Sequence, residues 1–114
     1  MTDPKQFRKW VRWLRREFPS VYPVRVVKDK GKRLPVNQSG ETQVFAEGMR
    51  IERIEVLVRD GMDWELTQDA LFHEWAHVLR YHIWGLACPK SDQDDSLFGV
   101  IFNKIRRAYQ NTGG

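Results

Sequence analysis

All three histidines of the chain lie in one stretch, LFHEWAHVLRYH, at residues 71–82. Two of them, His73 and His77, enclose a glutamate in the pattern His-Glu-x-x-His. On an α-helix, residues at this separation differ by a rotation of about 400°, so both imidazoles leave the same face, one turn apart. Two nitrogens in that arrangement suit two corners of a tetrahedral zinc site. The spacing therefore predicts that His73 and His77 bind a metal ion.

Glu74 lies one residue after the first histidine, about 100° around the helix axis. In that position its carboxylate flanks the metal without having to ligate it, and it can take a proton from a metal-bound water. Because zinc lowers the pKa of bound water towards about 7, hydroxide is then available at neutral pH. The predicted chemistry is hydrolysis by metal-activated water, with Glu74 as the general base. The competing interpretation is a helix that carries two histidines without a metal.

A catalytic zinc site usually has a third protein ligand, and two regions of the sequence offer one. His82 lies about 140° from His77 on a continuous helix, so it can share the metal only if the helix breaks at Tyr81. Carboxylates are acceptable zinc ligands, and one of them can also cap the helix that follows. The acidic segment SDQDD supplies three of them, at Asp92, Asp94 and Asp95. The residue types alone leave the choice open.

The metal pair requires a helix, and the surrounding pattern predicts one. Apolar residues recur at helical spacing from Leu71 to Leu79. Thr67 is the expected N-cap, and the helix is expected to run to about Ile83, before Gly85. The histidines thus belong to a helix that also has an apolar stripe for the core.

Five further elements are predicted from periodicity and from Pro and Gly breaks. They are a helix at 4–17 with Asp3 as N-cap, strands at 24–28, 42–47 and 50–60, and a last helix from about 94 to 109. The last strand alternates in a way that predicts one buried and one charged face. This order predicts an α+β fold with a small antiparallel or mixed sheet, in a single domain over residues 1–114.

Composition restricts the class of protein less than the motif does. The chain has 114 residues and a net charge of +4, an excess that favours nucleic-acid or acidic partners only weakly. Its one cysteine, Cys88, rules out an internal disulfide framework and is typical of a reducing compartment. The sequence shows no signal peptide and no apolar run of membrane-spanning length. We therefore expect a cytoplasmic protein without membrane association.

The segment LTQDALFHEWAHVL resembles the active-site helix of the zincin metallopeptidases, in particular of short, phage-encoded predicted metallopeptidases. RKWVRWLRREFPSVYPVRVV is similar to their opening helix, Phe-Pro break and first strand, and SDQDDSLFGVIFNKIRRAY to their closing segment. The resemblance covers most of the chain, although only the His-Glu-x-x-His core is highly specific. The same plan is similar to the SprT-like proteases, some of which act on DNA-bound proteins.

The resemblance implies a minimal zincin-like fold and a zinc-dependent peptidase, located in the host cytoplasm if the chain is phage-encoded. It implies that His73 and His77 hold Zn2+ and that Glu74 activates the water. In the similar families the third ligand is a histidine four residues before an aromatic residue, which a glycine follows. Phe98 and Gly99 match the aromatic residue and the glycine, which puts an aspartate where the relatives have histidine. That residue is Asp94, ahead of the alternatives Asp95, Asp92 and His82.

Substrate and partners follow from the same resemblance. The strand around Ile54–Val58 is expected to lie above the site and to pair with an extended protein or peptide substrate. The residue that stabilises the oxyanion is not identified, with Tyr81, His82 and Tyr109 as the options. The alternative function is a non-catalytic, zinc-containing module that binds protein or DNA. A peptidase recruited to DNA is a further expectation, from the basic charge together with the resemblance to the SprT-like proteases.

Overall fold

The structure, a computed structural model, describes residues 3–85 and 96–112. The described elements are α1 (Pro4–Glu17), β1 (Val24–Asp29), β2 (Gly40–Glu47), β3 (Arg50–Arg59), α2 (Trp64–Trp84) and α3 (Ser96–Gln110). The predicted α+β class with a small three-stranded sheet is confirmed. None of the described helices combines the length and the apolar character needed to cross a membrane.

The sheet is mixed, with β3 in the centre and the strand order β1-β3-β2. β1 runs parallel to β3, with Val24 opposite Ile54, and β2 runs antiparallel to β3, with Gly40 opposite Val58. Gly48, at the turn between β2 and β3, has a φ of 60°, a conformation that glycine adopts without steric cost. Because both sides of β3 are paired, the two edges of the sheet are β1 and β2.

The helices cover one face of the sheet, and a loop covers part of the other. Ile54, Val56 and Val58 are fully buried in the main hydrophobic core together with residues of α1 and α2. The prediction of a charged opposite face for β3 is wrong in its second half, because Leu57 is fully buried there. Residues 30–39 connect β1 to β2 and contribute the buried side chain of Leu34. This connection is hydrogen-bonded to the ends of two strands, through Leu34 to Asp29 of β1 and through Pro35 to Arg59 of β3.

This connection is anchored by the carboxylate of Asp29, at the end of β1. It accepts hydrogen bonds from the backbone N–H groups of Gly31, Arg33 and Leu34, at 3.0–3.2 Å. Its pKa is lowered, first by the bond from Leu34 and further by those from its neighbours, against the opposing effect of burial. The loop therefore depends on an ionised carboxylate.

α1 has the bounds that the sequence predicts. Asp3 caps it by accepting a hydrogen bond from the N–H of Lys5 at 2.9 Å, and Pro4 stands at the first helical position. Trp13 packs in the core between the rings of Phe18, Phe72 and Tyr109. Trp13 is therefore a core residue.

α2 begins one turn earlier than the sequence predicts. Its N-cap is Asp63, whose carboxylate accepts from the N–H of Leu66 at 2.9 Å, so the prediction of Thr67 as N-cap is wrong. Thr67 is buried in the next turn, where its hydroxyl donates to the carbonyl oxygen of Asp63 at 2.8 Å. At its other end the helix extends to Trp84, and Gly85 follows with a φ of 58°.

Candidate functional site

His73 and His77 lie side by side on the face of α2 that meets α3. Their ring centroids are 5.1 Å apart, and both rings contact Phe98, at 4.8 and 4.6 Å. Phe102, one turn further along α3, lies 5.6 Å from His73. Both histidines are half-buried. The shared face that the spacing predicts is present, and two aromatic rings of α3 form one side of the pair.

Arg80 lies almost fully buried beside this pair. It is 1% exposed, and its Nη1 is 3.3 Å from Nδ1 of His77. A guanidinium has donors only, so Nδ1 of His77 is the acceptor in this contact. A metal ion that binds His77 through Nδ1 would displace Arg80 from this position.

Glu74 is directed to the sheet rather than to α3. Its side chain is 6% exposed, and its Oε1 accepts a hydrogen bond of 2.7 Å from the hydroxyl of Thr42 in β2. The same hydroxyl lies 3.1 Å from the backbone oxygen of Glu74. This bond holds the carboxyl group of Glu74 in one orientation, and it is strongest when that group is ionised.

Gly40, two residues before Thr42, makes room for the same carboxylate. A Cβ at position 40 would lie 3.0 Å from Cγ and 3.2 Å from Oε2 of Glu74, and 3.0 Å from the carbonyl oxygen of Leu57. Any larger residue would displace the glutamate side chain or the strand. Gly40 and Thr42 together give β2 a notch that holds Glu74.

The aspartates that the sequence predicts as the third metal ligand lie outside what the structure describes. Asp94, Asp95 and Asp92 fall in residues 86–95, for which no structural statement is made. α2 continues through Tyr81 to Trp84, so the helix break that His82 would need in order to share the metal does not occur. The prediction of Asp94 as the third ligand remains a prediction.

The donor set is compatible with a zinc ion as far as it is described. Two imidazoles one turn apart are ligands of the type and spacing that zinc takes. Within residues 3–85 and 96–112 there is no group of three or more His, Cys, Asp or Glu side chains that could hold a metal ion. A zinc ion at His73 and His77 would therefore have two ligands from these ranges, and its third ligand would have to come from residues outside them.

β2, not β3, is the strand next to the candidate site. The expectation that the strand around Ile54–Val58 pairs with a substrate is wrong, because β1 and β2 already occupy both of its sides. Within the described residues β2 pairs only with β3, and it supplies both contacts to Glu74. An extended peptide beside the candidate site would therefore have to pair with β2.

Two residues at the site, Arg80 and Thr42, were not predicted from the sequence. Arg80 could have been found, since it lies three residues after His77 and such residues share a helix face. Thr42 carries no local signal that relates it to a residue of α2. Tyr109, an option for oxyanion stabilisation, instead accepts a hydrogen bond of 3.0 Å from Nε1 of Trp10 and packs against Phe72.

Comparisons with known proteins do not identify the chain. No protein-family model matches it, and neither the curated proteins nor the solved structures compared with it contain a match. The resemblance to zincins therefore depends on the sequence motifs alone. The structure adds one observation that is independent of this resemblance, which is the relative position of His73, Glu74 and His77.

Proposed function

We propose that this chain is a zinc-dependent metallopeptidase with a minimal zincin-like fold. One observation carries the proposal. Two imidazoles lie one turn apart on α2, while the carboxylate between them in sequence is held separately by β2. A carboxylate that is fixed away from the pair is available as a base rather than as a ligand. The ligands would be His73 and His77, with Asp94 as the third.

The residues have different tasks in this proposal. Zinc, when bound, would supply a water molecule of lowered pKa. Glu74 would accept the proton of that water and later deliver it to the leaving amine. Thr42 would hold Oε1 of Glu74 and thereby set the orientation of the carboxylate. Phe98 and Phe102 would exclude bulk water from one side of the imidazoles, which strengthens the electrostatic interactions there.

The substrate class follows from the sheet edge. An extended peptide that adds to β2 would form backbone hydrogen bonds along residues 40–47, next to the notch that holds Glu74. Such pairing recognises the peptide backbone and leaves sequence preference to the side-chain contacts. We infer that the substrate is an unfolded or locally extended protein segment.

A metal analysis with three variants tests the proposal. Protein purified without chelator should contain about one zinc ion per chain, and His73→Ala or His77→Ala should lose it. Glu74→Gln should keep the zinc and lose the cleavage of an unfolded, dye-labelled protein. Glu65→Gln is the matched control, because Glu65 is exposed in the first turn of the same helix. Wild-type protein without zinc, or a Glu74→Gln variant that still cleaves, would exclude the mechanism.

A non-catalytic zinc-containing module that binds protein or DNA is the second candidate. The observation in its favour is the burial of Glu74 against Thr42, since a carboxylate with a structural role would make the same contact. The two candidates differ in the Glu74→Gln variant. In a binding module that variant changes the free energy of unfolding, and neither it nor the wild type shows metal-dependent cleavage.

A further inference from the structure

A groove with a volume of about 500 Å³ lies between α1 and β1. β1 is the edge strand on the other side of the sheet from β2. Five cationic side chains line it: Arg8, Arg12, Arg15, Lys28 and Lys30. Asp60 is the one carboxylate in the lining, which leaves a net charge as large as the +4 of the whole chain. The positive excess of this protein is therefore concentrated in one concave place.

Most of this charge is not neutralised within the fold. The carboxylate of Asp60 lies 3.9 Å from Nζ of Lys28, so the single acid of the groove is paired with one of its cations. Arg15 donates a hydrogen bond of 2.8 Å to the carbonyl oxygen of Val24, which leaves its positive charge in place. Within residues 3–85 and 96–112, Arg8, Arg12 and Lys30 form no ion pair, and all three are exposed.

The remaining lining of the groove is apolar and largely aliphatic. Val11 and Val26 are half-buried and contact the main core. The ring of Phe7 is 6% exposed, and Nζ of Lys28 lies 4.7 Å from its centroid. The floor can therefore take small aliphatic side chains, but the one aromatic face in it is already covered by a cation.

We propose that this groove binds an acidic, partly aliphatic peptide segment of a protein partner. Arg8 and Arg12 are one helical turn apart, about 6 Å along the axis. Alternate residues of an extended peptide are about 6.6 Å apart, so two carboxylates at such positions match the two guanidiniums. The aliphatic side chains of the peptide cover Val11 and Val26.

The lining favours a peptide over a nucleic acid. Single-stranded nucleic acids bind sequence-tolerant proteins by stacking bases on aromatic faces, and Phe7 offers none. Duplex DNA is read by elements that protrude into its grooves, whereas this surface is concave. An acidic peptide with aliphatic side chains can form ion pairs with the cations of the groove and bury its aliphatic groups against Val11 and Val26. The proposal does not depend on a metal ion or on catalysis.

Fluorescence anisotropy of two labelled probes tests the proposal. One is a peptide in which glutamate alternates with leucine, and the other is an oligothymidylate of equal charge. The peptide should bind the wild-type protein. The double substitution Arg8→Glu with Arg12→Glu should lower the affinity for the peptide at least about tenfold, because two ion pairs are lost and two repulsions are gained. Lys5→Glu with Lys9→Glu is the matched control, with the same charge change on exposed residues of α1 outside the groove.

Lys30→Glu is a second variant that leaves α1 unchanged, and it should weaken the peptide as well. Part of the affinity should survive high salt, because contact with an apolar floor is not screened. Equal losses in the groove variant and the control would show diffuse attraction and overturn the proposal. Absence of peptide binding by the wild type would also overturn it. So would tighter binding of the oligothymidylate, with the steep salt dependence of phosphate contacts.

Discussion

Replacement of Thr42 by valine tests the contact between β2 and the candidate base. Valine keeps the shape and the β-branching of threonine and removes only the hydroxyl that donates to Oε1 of Glu74 at 2.7 Å. A hydrogen bond to a charged group contributes about 1.5–3 kcal/mol. Glu74 is only 6% exposed, so water cannot fully replace the lost donor. We expect Thr42→Val to lower the free energy of unfolding by about 2 kcal/mol.

The assay is urea unfolding in a double-mutant cycle with Glu74→Met, which keeps the length of the side chain and removes the acceptor. In that background the hydroxyl keeps the backbone oxygen of residue 74 as an acceptor, so Thr42→Val should cost about 1 kcal/mol instead of about 2 kcal/mol. The coupling energy should therefore be about 1 kcal/mol. Thr42→Ser is the control, since it keeps the donor and should lose only the contribution of one methyl group, about 0.8 kcal/mol.

An equal cost of Thr42→Val in both backgrounds would refute the pairing. The cycle needs neither zinc nor a substrate, so it separates the contact from the proposed peptidase activity. If coupling is found and cleavage is not, the contact stands and the catalytic proposal fails. If cleavage is found, Thr42→Val should lower kcat and leave KM nearly unchanged, whereas Thr42→Ser should restore kcat.

Three further predictions concern other parts of the structure. Gly40→Ala should destabilise the protein by about 1–3 kcal/mol in urea unfolding, because its Cβ would meet Glu74 and the carbonyl oxygen of Leu57 at 3.0 Å. Gly99→Ala is the control, because an added Cβ at Gly99 meets nothing within 4 Å, and equal effects would contradict the argument. The carboxylate of Asp29 has a pKa below its ordinary value of 3.8. Its contribution to the free energy of unfolding is therefore present above that pH and is lost as the pH falls through the lower pKa of the folded state. Asp29→Asn should therefore lower the urea midpoint at neutral pH and flatten its dependence between about pH 5 and about pH 2, and a parallel acid profile would contradict this. Zinc in excess should raise Tm in the wild type and not in His77→Ala, as measured by differential scanning fluorimetry, and an equal rise in both would place the metal elsewhere.

The parts of the fold that the sequence predicts well have local signals. α1 has Asp3 and Pro4 at its start and Pro19 just beyond its end, and its observed bounds agree with the prediction. The beginning of α2 lacks such a signal. Trp64 and Leu66 are apolar but more than half exposed, so no buried stripe marks the first turn. Periodicity therefore placed the start of that helix one turn too late.

The parts that the sequence does not predict depend on pairing between distant segments. The alternation in β3 gives a strand but not its place in the sheet, and only the pairings show that it is central. The contact between Thr42 and Glu74 joins positions 32 residues apart, and no local pattern records it. The helical spacing of His73 and His77 is a local property, which explains why the pair could be found first.

The mixed sheet has a consequence for the order in which this protein folds. β2 and β3 are joined by a short turn at Gly48, so their pairing closes a small loop. The parallel pairing of β1 with β3 spans all of β2 in sequence, and loop-closure entropy makes such contacts slow to form. We expect the β2–β3 hairpin to form early, and the docking of β1 to limit the folding rate. Mutations that weaken β1 should then slow refolding.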